Sequence, residues 1–552
     1  VRPSFETGPS IALSRTARGD ADVGDLVTVS LRGGGARVLA IHGRARSPRA
    51  AMAALLAAEG LGRPFPAEAL QEAEAGVGVR GKEDPGRRDL RDQVVITIDP
   101  EGAKDHDDAI AVAREGDAIR LWVHIADVAR FVPAGGAVDR EAFRRGNSVY
   151  VPGSVDPMLP PRLSTDLCSL RPGVDRLAVT AEMVVDPAGE VSGTRFYRSL
   201  IRSDRRLTYP EVDAHYGGLP LGVPTLETSL DLAREAARRL RGRRMARGAL
   251  DIASTEPVVR FADDRIAEIT LEHQTESHRV IEECMIAANE AVARFLIAHR
   301  RPTVFRHHDD PDEIGIERLY DQLDELGVRL PPLPEPPLTP TQCREAARAA
   351  SEAVAAHARS GETGWRAFPG LVLRALRQAR YAADRIGHSG LASAAYLHFT
   401  SPIRRYPDLL VHRTLLDALG AGDPAPDAAW LAEAAYHSSE TERAAAGVER
   451  RADRVCACFL LEDVVEARGW DAVYGAEVTG LVEGGAFLTF EDVFEGFLPA
   501  RVIPGDRYAL DPLGTSLVGE ATGRRLRLGD ALEVRVSRIE RLRGRVELEP
   551  AE

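Results

Sequence analysis

The sequence predicts an α+β protein of several domains, in which a mixed α/β centre lies between small β units at both ends. The chain has 552 residues, more than a single compact core usually holds. Strand-like and helix-like stretches are mixed through the centre, whereas residues 1–47 and the region after Tyr474 contain short strands between glycine-rich turns. Hydrophobic residues make up 44% and charged residues 28% of the chain, which is typical of globular proteins.

The pattern divides the chain into five segments. We expect a shortened β unit over residues 1–47, a helical linker over 48–90, a mixed α/β domain over 91–425, a helical extension over 426–470 and a second β unit over 471–552. Within the central domain, residues 94–98 and 119–125 predict strands, and residues 279–297 and 370–386 predict helices.

Composition narrows the possible partners and compartment. The net charge of −13 does not favour nucleic-acid binding. However, Lys82 and Lys104 are the only lysines, so nearly all of the positive charge is carried by arginine. Arginine forks can bind phosphate bidentately wherever they cluster. The five cysteines are odd in number and show no pairing pattern, which fits a reducing cytoplasm. No apolar run approaches the roughly 20 residues of a membrane span, so we expect a cytoplasmic protein without a membrane partner.

Four aspartates follow the predicted strand 94–98 within ten residues: Asp99, Asp105, Asp107 and Asp108. Gathered together, they would repel by about 1 kcal/mol per pair even in water. A divalent cation removes this repulsion, and ligands that are all oxygen favour Mg²⁺, or alternatively Mn²⁺, over zinc. Carboxylates around such ions typically hydrolyse phosphodiesters.

An acidic motif of this kind can also be a surface turn or a calcium loop. A generic run of aspartates is more often a solvated turn, because acids are mostly exposed. A calcium loop would need further ligands and a glycine beyond Asp107, but Ala109 and Ile110 occupy the decisive places. The calcium loop is therefore excluded, and the solvated turn stays open.

The spacing Asp-x5-Asp-x-Asp-Asp-Ala resembles a signature of the RNB exoribonucleases, the ribonuclease II and ribonuclease R type. Residues 396–413, which read Tyr-Leu-His-Phe-Thr-Ser-Pro-Ile-Arg-Arg-Tyr-Pro-Asp-Leu-Leu-Val-His-Arg, resemble a second signature of that family. The resemblance implies an RNB catalytic domain flanked by OB-fold barrels, cold-shock-like and truncated at the N-terminus and S1-like at the C-terminus. It also implies a monomer that hydrolyses single-stranded RNA from the 3′ end to nucleoside 5′-monophosphates with two magnesium ions.

The resemblance assigns a role to each motif residue. The metal ligands would be Asp99, Asp105, Asp107 and Asp108; the catalytic pair Asp107 and Arg404; and the RNA contacts Tyr150, Tyr209, Ile252, Glu282, Arg405 and Phe487. Ile252 departs from the family, which carries a Phe there to complete a base clamp. Without the resemblance, Arg404 and Arg405 would be expected to be solvated, and Tyr150 would be expected to be a half-buried strand residue. Phe487 would be expected to lie in a core, and Phe490 is a second candidate beside it for an RNA contact.

Two rival functions remain open at this point. The first is an RNA-binding regulator that keeps the fold but does not cleave, which the complete aspartate set argues against. The second is a nuclease or phosphodiesterase that acts on DNA or on small nucleotides. RNA and DNA oligomers of one sequence would separate the second rival, because only RNA offers the 2′-hydroxyl.

Overall fold

The computed structural model describes residues 1–32, 35–76, 86–251, 255–361 and 363–551. In these ranges the helices are α1 Arg15–Arg18, α2 Pro48–Ala58, α3 Ala67–Ala75, α4 Ala137–Arg145, α5 Tyr209–Tyr216, α6 Pro224–Ala246, α7 Glu276–Ala298, α8 Glu313–Glu325, α9 Pro340–Arg359, α10 Phe368–Ala375, α11 Tyr406–Ala418 and α12 Ala428–Arg468.

The strands of the N-terminal and central regions are β1 Asp25–Arg32, β2 Gly35–Arg44, β3 Arg88–Asp89, β4 Ile96–Asp99, β5 Asp108–Glu115, β6 Ala118–Ala126, β7 Val149–Val151, β8 Ser154–Asp156, β9 Asp175–Val185, β10 Val191–Arg202, β11 Arg205–Thr208, β12 Thr255–Ala262, β13 Arg265–His273, β14 Phe305–His307 and β15 Arg380–Ala382. The C-terminal strands are β16 Tyr474–Val482, β17 Gly485–Phe490, β18 Phe494–Pro499, β19 Tyr508–Leu510, β20 Ser516–Gly519, β21 Arg525–Arg527, β22 Ala531–Glu540 and β23 Arg545–Pro550.

A seven-stranded sheet in the order β11-β4-β5-β6-β9-β10-β3 forms the centre of the molecule. Its strands are antiparallel except for the pairs β11–β4 and β10–β3. Leu121, Val123 and Ile125 of β6 are fully buried and pack, with α6 and α7, into one hydrophobic core. Their period of two is that of a strand with one face on a core, and Trp122 and Ala126 face a second core on the other side. The sheet is therefore covered on both faces.

The C-terminal region contains a closed five-stranded barrel in the order β16-β17-β18-β23-β22. Val478, Leu488, Phe490 and Val534 fill its interior and are completely buried. A small sheet of β19, β20 and β21 is inserted between β18 and β22. Barrel closure removes exposed strand edges, as in OB folds. The expected C-terminal β barrel is thus confirmed.

The N-terminal β unit consists, in the described residues, of the antiparallel pair β1–β2. It packs on α2, whose Leu55 is completely buried. The continuous helix α12, 41 residues long, contacts α2, β7 and the C-terminal barrel, and so connects the three regions.

Most of the individual elements expected from the pattern are present. Strands 94–98 and 119–125 and helix 279–297 correspond to β4, β6 and α7 within a few residues. The helix predicted over 370–386 is wrong in its second half. There α10 ends at Ala375, and β15 pairs with β14 while the Tyr381 amide donates to Ser439 Oγ at 2.9 Å. In the parts of the chain described, no helix is both long and apolar enough to cross a membrane.

Candidate active site

The four aspartates lie at one edge of the central sheet. Asp99 is the last residue of β4 and Asp108 the first of β5, and these neighbouring strands are paired through Ile96 and Ile110. Asp105 and Asp107 lie in the loop between them. Burial, and next the charge of Asp99, raises the pKa of Asp108 to about 7. The pattern of strand, loop and strand therefore places the four acids at the same end of β4 and β5.

A buried serine fixes the loop that carries the acids. The His106 amide donates to Ser169 Oγ at 3.1 Å, and the Leu170 amide donates to the His106 carbonyl at 2.9 Å. On the other side, the Ala126 amide donates to the Asp107 carbonyl at 2.9 Å. Ser169 itself is completely buried. The loop is thus bonded on both sides, which limits the positions its carboxylates can take.

Asp107 is the most buried acid of the group, with 3% of its surface exposed. Its Oδ1 accepts a hydrogen bond from the Ile403 amide at 2.8 Å, and its Oδ2 lies 3.6 Å from Arg404 Nε without a hydrogen bond. Burial raises the pKa of Asp107 well above its ordinary value, and the charges of Asp105 and Asp108 add to this. Arg404 and the Ile403 amide act in the opposite direction. The structure therefore brings the predicted pair, Asp107 and Arg404, together.

Asp408 holds the turn on which Arg404 lies. Its Oδ1 accepts hydrogen bonds from the Ser401 amide at 2.8 Å and from Arg405 Nη2 at 2.7 Å, and its side chain is completely buried. Arg405 is thus bonded inside the protein, whereas 47% of the Arg404 side chain is exposed. An RNA contact by Arg405 stays a prediction; its visible role is to hold the turn.

The segment before β7 braces the same turn. The Ser148 amide donates to the Arg404 carbonyl at 3.0 Å, and the Tyr406 amide donates to the Gly146 carbonyl at 2.9 Å. Gly146 has a φ of 72°, and a Cβ there would lie 2.0 Å from Thr441 Oγ1 of α12. Only glycine fits this close approach.

Two tyrosines border the acids. The Tyr150 hydroxyl, on β7, donates to Asp105 Oδ2 at 2.6 Å, and the residue is 38% exposed. Tyr209, at the start of α5, is half-buried and stacks on His278 with ring centroids 3.7 Å apart and planes 18° apart. Burial and then Asp108 raise the pKa of Tyr209, so this ring also lies near the acids. Both predicted tyrosines are therefore at the candidate site.

The other predicted RNA contacts lie in different surroundings. Glu282, on α7, accepts a hydrogen bond from Gln274 Nε2 and is half-buried. Phe487 is 47% exposed on the barrel strand β17, whereas Phe490 is completely buried in the barrel core. Phe490 is therefore a core residue, and Phe487 stays a candidate. Ile252 lies outside the described residues.

His106 is a site residue that the motif did not identify, although it lies between Asp105 and Asp107. It is buried, and its Nδ1 lies 2.8 Å from Asp99 Oδ2, although the two are not aligned for a hydrogen bond. The only signal for this ring in the sequence is that it interrupts an acidic run.

The donor set fits a divalent cation. Asp99 Oδ2 and Asp107 Oδ2 are buried without a hydrogen-bond partner, and a bound cation would satisfy both oxygens. All four acids offer hard oxygen ligands, which Mg²⁺ prefers. Within the described ranges, no three His, Cys, Asp or Glu side chains already converge on a point.

The RNB domain model matches residues 87–421, which is more than half of the chain. The chain belongs to the RNB family. It is 36% identical to ribonuclease R of Aquifex aeolicus over 93% of this chain and 72% of that protein. It is also 36% identical to ribonuclease R of Vibrio parahaemolyticus, over 82% of this chain and 54% of that protein.

Among solved structures, the RNB chain superposes on Mycoplasma genitalium RNase R in complex with ribose-methylated single-stranded RNA. The TM-score is 0.89 at 25% sequence identity, over 98% of this chain and 85% of that one. This agreement confirms the predicted fold class, an α/β catalytic domain with β domains at the ends. Compared with the Vibrio protein, the RNB chain spans little more than half the length.

Proposed function

We propose that this RNB protein is a 3′-to-5′ exoribonuclease that hydrolyses single-stranded RNA to nucleoside 5′-monophosphates with Mg²⁺. The observation that carries the proposal is the meeting of Asp107 with Arg404 at an edge that also holds three further aspartates. The Ile403 amide, 296 positions from Asp107 in the chain, fixes this meeting through its hydrogen bond to the carboxylate. Acids for a cation and an arginine for a phosphate are the two charges that phosphodiester hydrolysis needs.

The residues of the chain divide this work among them. Asp99, Asp105, Asp107 and Asp108 would hold the magnesium ions, with Mn²⁺ as an alternative. Bound there, the ions supply an activated water and stabilise the leaving oxygen.

Arg404 would hold the phosphate beside the scissile bond, because its guanidinium is half-exposed while its backbone is fixed by Ser148. The rings of Tyr150 and Tyr209 would stack on or contact the RNA near its 3′ end, and Glu282 would help to position the terminal nucleotide. Stacking holds unpaired bases without reading their sequence.

Single-stranded RNA is the proposed substrate class. The Mycoplasma genitalium relative was captured with ribose-methylated single-stranded RNA, and it shares nearly the whole fold of this chain. Two of the exposed aromatic rings, Tyr150 near the acids and Phe487 on the barrel, fit bases that are not paired.

The first experiment follows a 5′-labelled, unstructured RNA in magnesium buffer. The wild type is expected to shorten it progressively, whereas Asp107→Asn binds it with unchanged affinity and does not cleave. Asn keeps an oxygen for the Ile403 amide, so the fold is retained while a charge is lost. Asp117→Asn, in the exposed turn between β5 and β6, is the matched control and should cleave as the wild type does. Intact RNA with the wild type would instead favour a regulator that only binds.

A second experiment separates the substrate classes. RNA and DNA oligomers of one sequence are incubated side by side, and equal turnover of both would overturn the RNA assignment. A duplex with a 3′ overhang then distinguishes behaviour at structure: stalling at the junction resembles ribonuclease II, and passage through it resembles ribonuclease R.

A further inference from the structure

An arginine-lined cleft lies on the far side of β7 from the acids. Its volume is about 330 Å³, and its walls are the segment 59–63, the end of α4, β7 and one face of α12. Val149 lines the cleft, whereas the next residue, Tyr150, bonds Asp105. Successive side chains of a strand point to opposite faces, so the cleft and the candidate active site are two separate surfaces.

Five arginines line the cleft, on a chain whose net charge is −13. Its charged lining residues are Arg63, Arg144, Arg145, Arg443, Arg451, Glu59 and Asp156. Arginines outnumber acids, and arginine is the side chain that best fits a phosphate in a bidentate manner.

The arginines are of two kinds. Arg145 forms the floor: only 4% of its side chain is exposed, and it bonds to Glu141 at 2.8 Å and to Asp156 at 2.6 Å. Arg145 is therefore structural. The rim residues Arg144 and Arg443 are different, because their side chains are 49% and 37% exposed.

Among the residues that the structure describes, each rim arginine forms its ion pair within its own helix. Arg144 pairs with Glu141 three residues before it, and Arg443 pairs with Glu440 three residues before it. The Arg443–Glu440 pair is exposed on both sides and is worth about 1 kcal/mol or less. Arg144 forks onto the buried Glu141, and that carboxylate keeps its bond to Arg145 when Arg144 turns towards a phosphate.

We propose that this cleft binds phosphate groups, with Arg144 and Arg443 as the donors at its rim. The phosphate belongs either to an RNA strand that passes outside the acids or to a free nucleotide. Binding here does not require hydrolysis at the acids, because the two surfaces lie on opposite faces of β7. Failure of this proposal is therefore distinguishable from failure of the proposed activity.

The test measures binding to the full chain carrying Asp107→Asn, so that bound RNA stays intact. The probes are a long single-stranded RNA and adenosine 5′-monophosphate, followed by fluorescence anisotropy and calorimetry. In this background, the double variant Arg144→Gln/Arg443→Gln should weaken binding about tenfold. For RNA it should also reduce the slope of log K against log salt by about 1.4, since each lost contact to a single strand contributes about 0.7.

A second variant and a control keep the test decisive. Ala444→Glu leaves the arginines in place but adds a negative charge to the exposed α12 wall, and it should weaken binding in the same direction. Arg348→Gln is the matched control, because its side chain is 39% exposed and also pairs within its own helix, with Glu352. Loss of RNA binding alone assigns the cleft to a strand, and loss of nucleotide binding alone assigns it to a free nucleotide. Unchanged binding of both probes by both variants overturns the proposal.

Discussion

Replacing Asp408 is expected to loosen the turn that carries Arg404. Its Oδ1 accepts two hydrogen bonds, from the Ser401 amide and from the Arg405 guanidinium. Hydrogen bonds with a charged partner contribute about 1.5–3 kcal/mol each. Arg405 Nε is already buried without a partner, although 23% of the side chain is exposed and can be rehydrated. Asp408→Ala should therefore cost about 3–4 kcal/mol of local stability.

Asp408→Asn separates the two contributions. The amide oxygen still accepts from Ser401, but the charge that pairs with Arg405 is gone, so the cost should fall to about half. Asp417→Ala is the control on the same helix α11. Asp417 forms one ion pair, 3.1 Å from the 40%-exposed Arg301, and its loss should cost about 1 kcal/mol or less.

The assay is amide hydrogen exchange of the peptide that contains Ser401 and Arg404, because a chain of several domains does not unfold in one step. The rate of RNA hydrolysis is measured in parallel. We expect the exchange rate to be lowest in Asp417→Ala, higher in Asp408→Asn and highest in Asp408→Ala. The rate of RNA hydrolysis should fall in the same order. Exchange of this peptide at the wild-type rate in Asp408→Ala would refute the reasoning.

Three further predictions concern the site and the barrel. His278→Ala should raise the KM for RNA about tenfold and change kcat little, because the ring that stacks on Tyr209 is lost. His278→Phe should restore the wild-type KM, whereas a loss of kcat without a change in KM would contradict this role. Phe487→Ala should weaken binding of long RNA by about 1–3 kcal/mol while leaving short oligomers unaffected, as measured by anisotropy; equal effects on both lengths would place this ring elsewhere on the RNA path. Chelation with EDTA should stop hydrolysis but not RNA binding, and excess Mg²⁺ should restore turnover; cleavage that persists without divalent cations would exclude the metal assignment.

Much of the fold was predictable because periodicity reports which faces are buried. The alternation in β6 and the helical spacing in α7 come from the cores that they face. The segment 370–386 shows the limit. Its apolar spacing suits a helix. However, β14 and the Ser439 hydroxyl, which lie far away in the sequence, bind the backbone of residues 380–382. Tertiary pairing of that kind overrides local propensity.

The site was predictable in its residue types and less so in its hydrogen bonds. A short motif identified Asp107 and its neighbours, and a second motif identified Arg404. The bond from the Ile403 amide to Asp107, however, joins residues 296 positions apart, and one sequence does not reveal such contacts. The engagement of Arg405 by Asp408 was hidden for a different reason. Two adjacent arginines look alike in sequence, and only the fold decides which one remains exposed.

The most direct test of the proposed activity compares one RNA labelled at either end, incubated with the wild-type protein and Mg²⁺. Hydrolysis from the 3′ end predicts that the 3′ label is released at once as a mononucleotide, while the 5′ label passes through a ladder of shortening products. Asp107→Asn should release neither label. Early release of the 5′ label, internal cuts, or two intact strands would contradict a 3′-directed hydrolysis at these aspartates.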